Sequence, residues 1–129
     1  MDNFYRKNIL DHYKNPLNFG RLDKADVKSK RENISCGDSI VMQIKFKKQK
    51  KGNKIIEKIM FYGEGCAISV ASASMLTEKA KGKSIEDLKN LKKDDIINLL
   101  NIPISPVRLR CALLPLEALH KTLALVKDE

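Results

Sequence analysis

The chain has 129 residues, 43% of them hydrophobic, which suits one proper core and is too short for two ordinary domains, so a single domain over residues 1–129 is expected. Its formal charge of +9 is carried by lysines spread along the chain with few aromatics among them, which argues for a solvated basic surface and against a nucleic-acid stripe or stacking platform. No apolar run nears the ~20 residues that span a bilayer, and the opening MDNFYRKNIL lacks the long apolar region of a signal peptide, so a cytoplasmic location without a membrane partner is expected.

In chain order, Phe4, Tyr5, Ile9 and Tyr13 stand at helical spacing, and Asn15-Pro16 should end that first helix. The pattern weakens from Leu17 to Asn33, which reads as loop with room for one irregular strand. Ile40, Met42, Ile44 and Phe46 then alternate with Val41, Gln43 and Lys45, the period of a half-buried strand. A dense basic run, Lys47, Lys48, Lys50 and Lys51, leads into Gly52-Asn53, a hairpin turn kept soluble by its charge. The segment from Ile55 to Tyr62, rich in β-branched and aromatic residues, is the returning antiparallel strand.

Beyond Cys66 the pattern turns helical. A helix over Ala67–Lys81 would bury Ile68, Ala71, Met75 and Leu76, with Gly82 at its C-terminal cap. Ser84-Ile-Glu-Asp87 resembles a capping box opening a brief helix, and Asp94 or Asp95 is the expected cap of another that runs through Leu100. Ser105-Pro106 pairs a cap with a proline at the first helical position. The helix it opens carries Leu109, Ala112, Leu113, Leu116, Leu119, Leu123 and Val126 on its apolar stripe. The predicted fold class is α+β: an N-terminal helix, a small antiparallel sheet of about three strands, then helices packed on one face.

Three cysteines cannot pair completely, so metal binding or thiol chemistry is the question they raise. Cys36 and Asp38 flank a glycine in Ser-Cys-Gly-Asp-Ser just before the first clear strand, and a tight turn can aim both side chains at one metal. Cys66, in Gly63-Glu-Gly-Cys-Ala, lies between a strand and a helix, where two glycines allow a sharp turn and a helix N-terminus favours a thiolate. Cys111 falls in the first turns of the last helix. A lone cysteine is more often a small buried apolar residue than a ligand, and Cys111 has core-like neighbours; the combination at element ends is what points to a site. His120, nine residues after Cys111, projects to about the opposite side of the helix and reads as structural. His12 reads as a helix-end or partner contact rather than a ligand.

The segments Ile9-Leu-Asp-His-Tyr-Lys-Asn-Pro-Leu-Asn18, Cys36-Gly-Asp38, Gly63-Glu-Gly-Cys-Ala-Ile-Ser69 with Ala71-Ser-Ala-Ser-Met75, Lys81-Gly-Lys83 and Pro106-Val-Arg-Leu-Arg-Cys111 resemble, in order and over nearly the whole chain, the motifs of the IscU/SufU/NifU N-terminal family of iron–sulfur cluster assembly proteins. The resemblance implies that Cys36, Asp38, Cys66 and Cys111 bind zinc or a labile 2Fe–2S cluster. It makes Cys111 the acceptor of persulfide sulfur from a cysteine desulfurase, and iron–sulfur acceptor proteins the downstream partners. Such a chain is a scaffold or sulfur acceptor rather than a turnover enzyme. A hard aspartate oxygen among soft thiolates would hold one corner of a cluster loosely, as a donor requires.

Two departures qualify it. IscU-type members place a histidine directly before the last cysteine; here Arg110 stands there, and a guanidinium cannot ligate a metal. SufU-type members share a basic residue at that point but carry an insertion between the second and third cysteines, whereas only 44 residues separate Cys66 from Cys111. The stretch Ile104-Ser-Pro-Val-Arg108 replaces the Leu-Pro-Pro-Val-Lys offered to a dedicated Hsp70-type chaperone, so that partner is not carried over. The alternatives are a zinc-dependent sulfur acceptor without a scaffold role and, from another class, a structural zinc protein binding nucleic acid through its basic surface. A cysteine-nucleophile enzyme lacks an accompanying acid–base set.

Overall fold

The computed structural model of the chain describes residues 3–35, 37–47 and 54–126; Cys36, most of the lysine run and the Gly52-Asn53 turn lie outside them, as do the side chains of Phe4 and Tyr5. Helix α1 (Asn3–Lys14) is followed by β1 (Val27–Asn33), β2 (Asp38–Lys47), β3 (Ile55–Glu64) and four helices: α2 (Ala67–Ala80), α3 (Ile85–Lys89), α4 (Lys93–Leu100) and α5 (Pro106–Leu123). The strands form one antiparallel sheet in the order β1-β2-β3. The expected α+β architecture is present, and none of the described helices is long and apolar enough to cross a membrane.

Strand β1 is a regular ladder from Val27↔Ile44 to Asn33↔Asp38, firmer than the irregular strand expected. Its sequence VKSKREN holds one apolar residue, so periodicity could not reveal it; backbone pairing to β2 makes it a strand. Its lysines and arginine protect the sheet edge. Strand β2 departs from half burial, because Val41 and Gln43 are covered as well as Ile40, Met42, Ile44 and Phe46. The segment after α1 crosses the second face: Leu22 N–H donates to Gln43 Oε1 at 2.9 Å, and the Arg21 guanidinium lies 4.1 Å from the Tyr62 ring centre. The same segment hydrogen-bonds to the outer edge of β3 through Gly20 N to Phe61 O, 2.8 Å, and Phe61 N to Asn18 O, 2.9 Å.

Helix α2 is the hub. An amphipathic stripe was expected, but every residue from Ser69 to Thr77 is buried, because α1, α4, α5 and β3 all pack against it. Small side chains permit that close approach, and its buried hydroxyls have partners. Thr77 Oγ1 donates to Ala73 O at 2.7 Å, and Ser74 Oγ accepts Leu17 N–H at 2.8 Å while lying 2.7 Å from His12 Nδ1. His12 therefore ties α1 to α2 within the chain. Nearby, hydrogen bonds from Lys81 and then from the Asn18 amide hold the Glu78 carboxyl below its ordinary range.

Ser84 caps α3 by accepting Asp87 N–H, as expected. Neither Asp94 nor Asp95 caps α4. Lys92 holds that position and its own N–H donates to Asp95 Oδ2 at 2.7 Å, so the acidic residue serves the cap from the third helical position. Ser105 caps α5 through Arg108 N–H with Pro106 following it. Helix α5 lies across β1 and β2 and along α2. His120 Nε2 is 3.0 Å from Leu88 O, the structural role expected.

Candidate metal centre

The antiparallel pairing of β2 with β3 decides which residues meet. Ser39 faces Glu64 across the ladder, so the start of β2 and the end of β3 lie side by side, and Asp38 comes beside the turn that leads from β3 into α2. Cys66 occupies the N-cap of α2 in extended conformation. Its N–H donates to Asp38 Oδ1 at 3.2 Å. Ser69, one turn into α2, donates its hydroxyl to the Cys66 carbonyl at 3.1 Å and braces the same turn from the other side.

Glycines make this approach possible. Gly63 has φ +140°, and a side chain there would run into the Ser39 carbonyl on the paired strand. A Cβ on Gly65 would collide with Ser69 Oγ and stand 3.6 Å from the Asp38 carboxyl carbon. Sequence reasoning anticipated the sharp turn but not Ser69, whose spacing of three from Cys66 was the available signal.

Cys111 enters from the third direction, on the second turn of α5, which crosses the sheet and packs along α2. The ligand atoms of Asp38, Cys66 and Cys111 lie within 4.8 Å of one another. Asp38 and Cys111 are each only 4% exposed, and Cys66 is half-buried. Cys36 lies outside the described residues, so three of the four residues expected to form a set are brought together among those described. Both histidines are engaged elsewhere, and Arg110 is exposed.

One observation tests whether this donor set suits a metal. Asp38 Oδ2 is buried with no hydrogen-bond partner among the described residues. Burying a carboxylate oxygen in this way costs free energy unless something cationic or a donor meets it. Two sulfurs and one carboxylate oxygen are donors suited to zinc or to iron–sulfide units. The residues fit such a group.

A three-stranded antiparallel sheet, helices over one face and a cysteine–aspartate cluster at one end define a small α+β protein with a metal-competent thiol centre. Residues 4–128 match the NifU-like N-terminal domain, and the chain belongs to that family. It is 37% identical to the iron–sulfur cluster assembly scaffold protein IscU of Rickettsia prowazekii, over 97% of this chain and 93% of that protein. It is 39% identical to the zinc-dependent sulfurtransferase SufU of Bacillus subtilis, over 96% and 92%. That second alignment runs over 141 positions, more than the 129 residues of this chain, so the relative carries residues that are absent here. Among solved structures, a crystal structure described as an iron–sulfur cluster assembly scaffold protein for the SUF system of Fervidobacterium islandicum superposes with a TM-score of 0.72 at 27% identity, covering 91% of this chain and 94% of that one.

Proposed function

We propose that this chain is an iron–sulfur cluster assembly protein in which Cys36, Asp38, Cys66 and Cys111 form the binding set and Cys111 accepts sulfur from a cysteine desulfurase. The observation that carries the reading is Oδ2 of Asp38, without a hydrogen-bond partner among the described residues and buried beside two cysteine sulfurs that three separate elements bring together. In the acceptance step the Cys111 thiolate attacks the outer sulfur of the desulfurase persulfide. The sulfur–sulfur bond of the desulfurase breaks, its cysteine leaves as thiolate, and Cys111 becomes the persulfide with no net oxidation. Two-electron reduction of that persulfide by an added thiol, such as the excess cysteine of the assay, releases its outer sulfur as sulfide and returns Cys111 to thiolate; iron and sulfide are then cargo at the same residues, passed on to acceptor proteins. The mixed donor set favours release, since a carboxylate oxygen holds soft iron weakly.

Exposed apolar and basic residues stand close in sequence to the site residues. Ile34, in the turn before Asp38, is 91% exposed; Val107, one helical turn before Cys111, is 75% exposed; Arg108 and Arg110, also exposed, lie between Val107 and Cys111. Such exposed apolar residues beside a reactive centre suit a transient protein partner.

A second reading is a zinc-dependent sulfur acceptor that never builds a cluster. Arg110 favours it, because the position beside Cys111 supplies charge and no ligand. Zinc at this set would keep the thiols deprotonated and tie β2, α2 and α5 together. Incubating the chain with a cysteine desulfurase, cysteine and ferrous iron, with visible absorbance and intact mass followed together, tests both. Added sulfur on Cys111 with a cluster spectrum is expected; added sulfur alone selects the zinc-dependent acceptor. Neither signal, with salt-sensitive nucleic-acid binding instead, would select the structural zinc protein.

A further inference from the structure

A proline in the helix interior and a hydrogen bond between two helices stand next to Cys111. Pro115 stands in the interior of α5, buried, although the helix runs without interruption from Pro106 to Leu123. Proline has no N–H, so residue 115 cannot supply the intrahelical bond to the carbonyl four positions back, which is that of Cys111, and its ring crowds that carbonyl. The adjacent carbonyl, that of Ala112, accepts a bond from another helix: Ser72 Oγ donates to it at 2.7 Å, with both residues fully buried. Buried Ser74 bonds outside α2, to Leu17 N–H and beside His12, while the buried threonines bond their own helix four residues back, Thr77 to Ala73 O and Thr122 to Ala118 O. Ser72 instead reaches across to α5.

The turn of α5 that carries Cys111 is thus loosened along its own axis and pinned sideways to α2. A proline in a buried helix interior opposes the local preference of the chain, and such conflicts concentrate where a site needs a particular position or motion. Cys111 has that need. It rests almost fully covered beside Asp38 and Cys66, yet a sulfur acceptor has to meet a persulfide on another protein.

We propose that Pro115 and Ser72 are positioning residues for Cys111: the proline eases outward tilting of its turn, and the Ser72 bond to Ala112 holds the turn at its inward rest beside Asp38 and Cys66. The inference rests on the sulfur-acceptor reading for its purpose, but its test needs neither metal nor desulfurase. The metal-free full-length chain is alkylated with iodoacetamide, and the ratio of Cys111 to Cys66 modification is read by peptide mass. Amide hydrogen exchange across residues 107–114 is followed in parallel. Pro115→Ala restores the missing N–H and should lower the ratio about tenfold with slower exchange. Ser72→Ala should raise the ratio about threefold with faster exchange. Urea unfolding gives the overall stability of each variant, because a purely structural role would shift the ratio only as far as stability shifts the opening of buried Cys111. A ratio in Pro115→Ala and Ser72→Ala that is unchanged, or that follows overall stability alone, overturns the inference. Shifted ratios in a chain that accepts no sulfur would uphold it and sink the sulfur-acceptor reading alone.

Discussion

Cys66 and Asp38, 28 residues apart, are joined by one hydrogen bond, from the Cys66 N–H to Asp38 Oδ1 at 3.2 Å, while the other oxygen of that carboxylate is buried and without a hydrogen-bond partner among the described residues. One oxygen supports the turn and the other is available to a ligand. Asp38→Ala separates these roles. In the metal-free chain the lost bond, about 1 kcal/mol, is offset by removal of an unsatisfied buried oxygen, so stability should stay within about 1 kcal/mol of the parent. Zinc at a hundred times its dissociation constant should stabilise the parent by about 2.7 kcal/mol, and the variant by less than half of that at the same concentration. Urea unfolding with and without zinc measures both, and an equal zinc increment in the two proteins would remove Asp38 from the binding set.

The turn between β3 and α2 has little room. Gly65→Ala places a methyl carbon against Ser69 Oγ, and the crowding should destabilise the chain by about 1–3 kcal/mol. Adding Ser69→Ala removes the atom that is struck. The double variant should then be more stable than the two separate losses predict, and a thermodynamic cycle over the four proteins reads that coupling. Strict additivity would show that the space beside Ser69 is not what excludes a side chain at residue 65.

The elements with a strong local signal were legible in the sequence. The alternation from Ile40 to Phe46, the β-branched run from Ile55 and the Ser105-Pro106 start each depend on short-range chemistry, and each stands where expected. What was not legible depends on neighbours distant in sequence. Strand β1 has almost no apolar pattern because its pairing comes from β2 and only one face meets α5. Helix α2 lost its expected stripe because neighbours surround it, and Gln43 is buried because Leu22 satisfies its amide. Lys92 caps α4 although its side chain is a poor cap, since Asp95 supplies the bond. At the centre, the β2–β3 hairpin already implied that Asp38 and Cys66 would be neighbours. The arrival of Cys111 followed from the path of α5 over the sheet, which no local pattern encodes.

Cys66 and Cys111 should differ in function despite lying side by side. If Cys111 is the acceptor, Cys111→Ser abolishes added sulfur after incubation with desulfurase and cysteine. Cys66→Ser still acquires it but gives no stable cluster absorbance when iron is present. Intact mass together with the visible spectrum distinguishes the two. Persulfide persisting in Cys111→Ser and absent in Cys66→Ser would transfer the acceptor role to the residue at the start of α2.

Exposed Ile34 and Val107 give a separate test of where a desulfurase would meet this chain under the sulfur-acceptor reading. Both side chains lie in solvent, so a substitution there should change stability by no more than about 0.5 kcal/mol. A partner that buries them would respond much more strongly, because residues in the core of an interface carry most of its energy and a carboxylate introduced there has to be desolvated. Val107→Glu and Ile34→Glu should therefore lower kcat/KM for sulfur transfer at least about tenfold through KM, with zinc affinity and the unfolding midpoint unchanged. The control is Leu125→Glu, beyond the end of α5 and itself about half exposed, which should have no effect on transfer. Loss of transfer in the control as well would mean that added negative charge anywhere on this basic surface impairs the encounter, and raising the salt concentration would then weaken transfer by the parent chain to a similar degree.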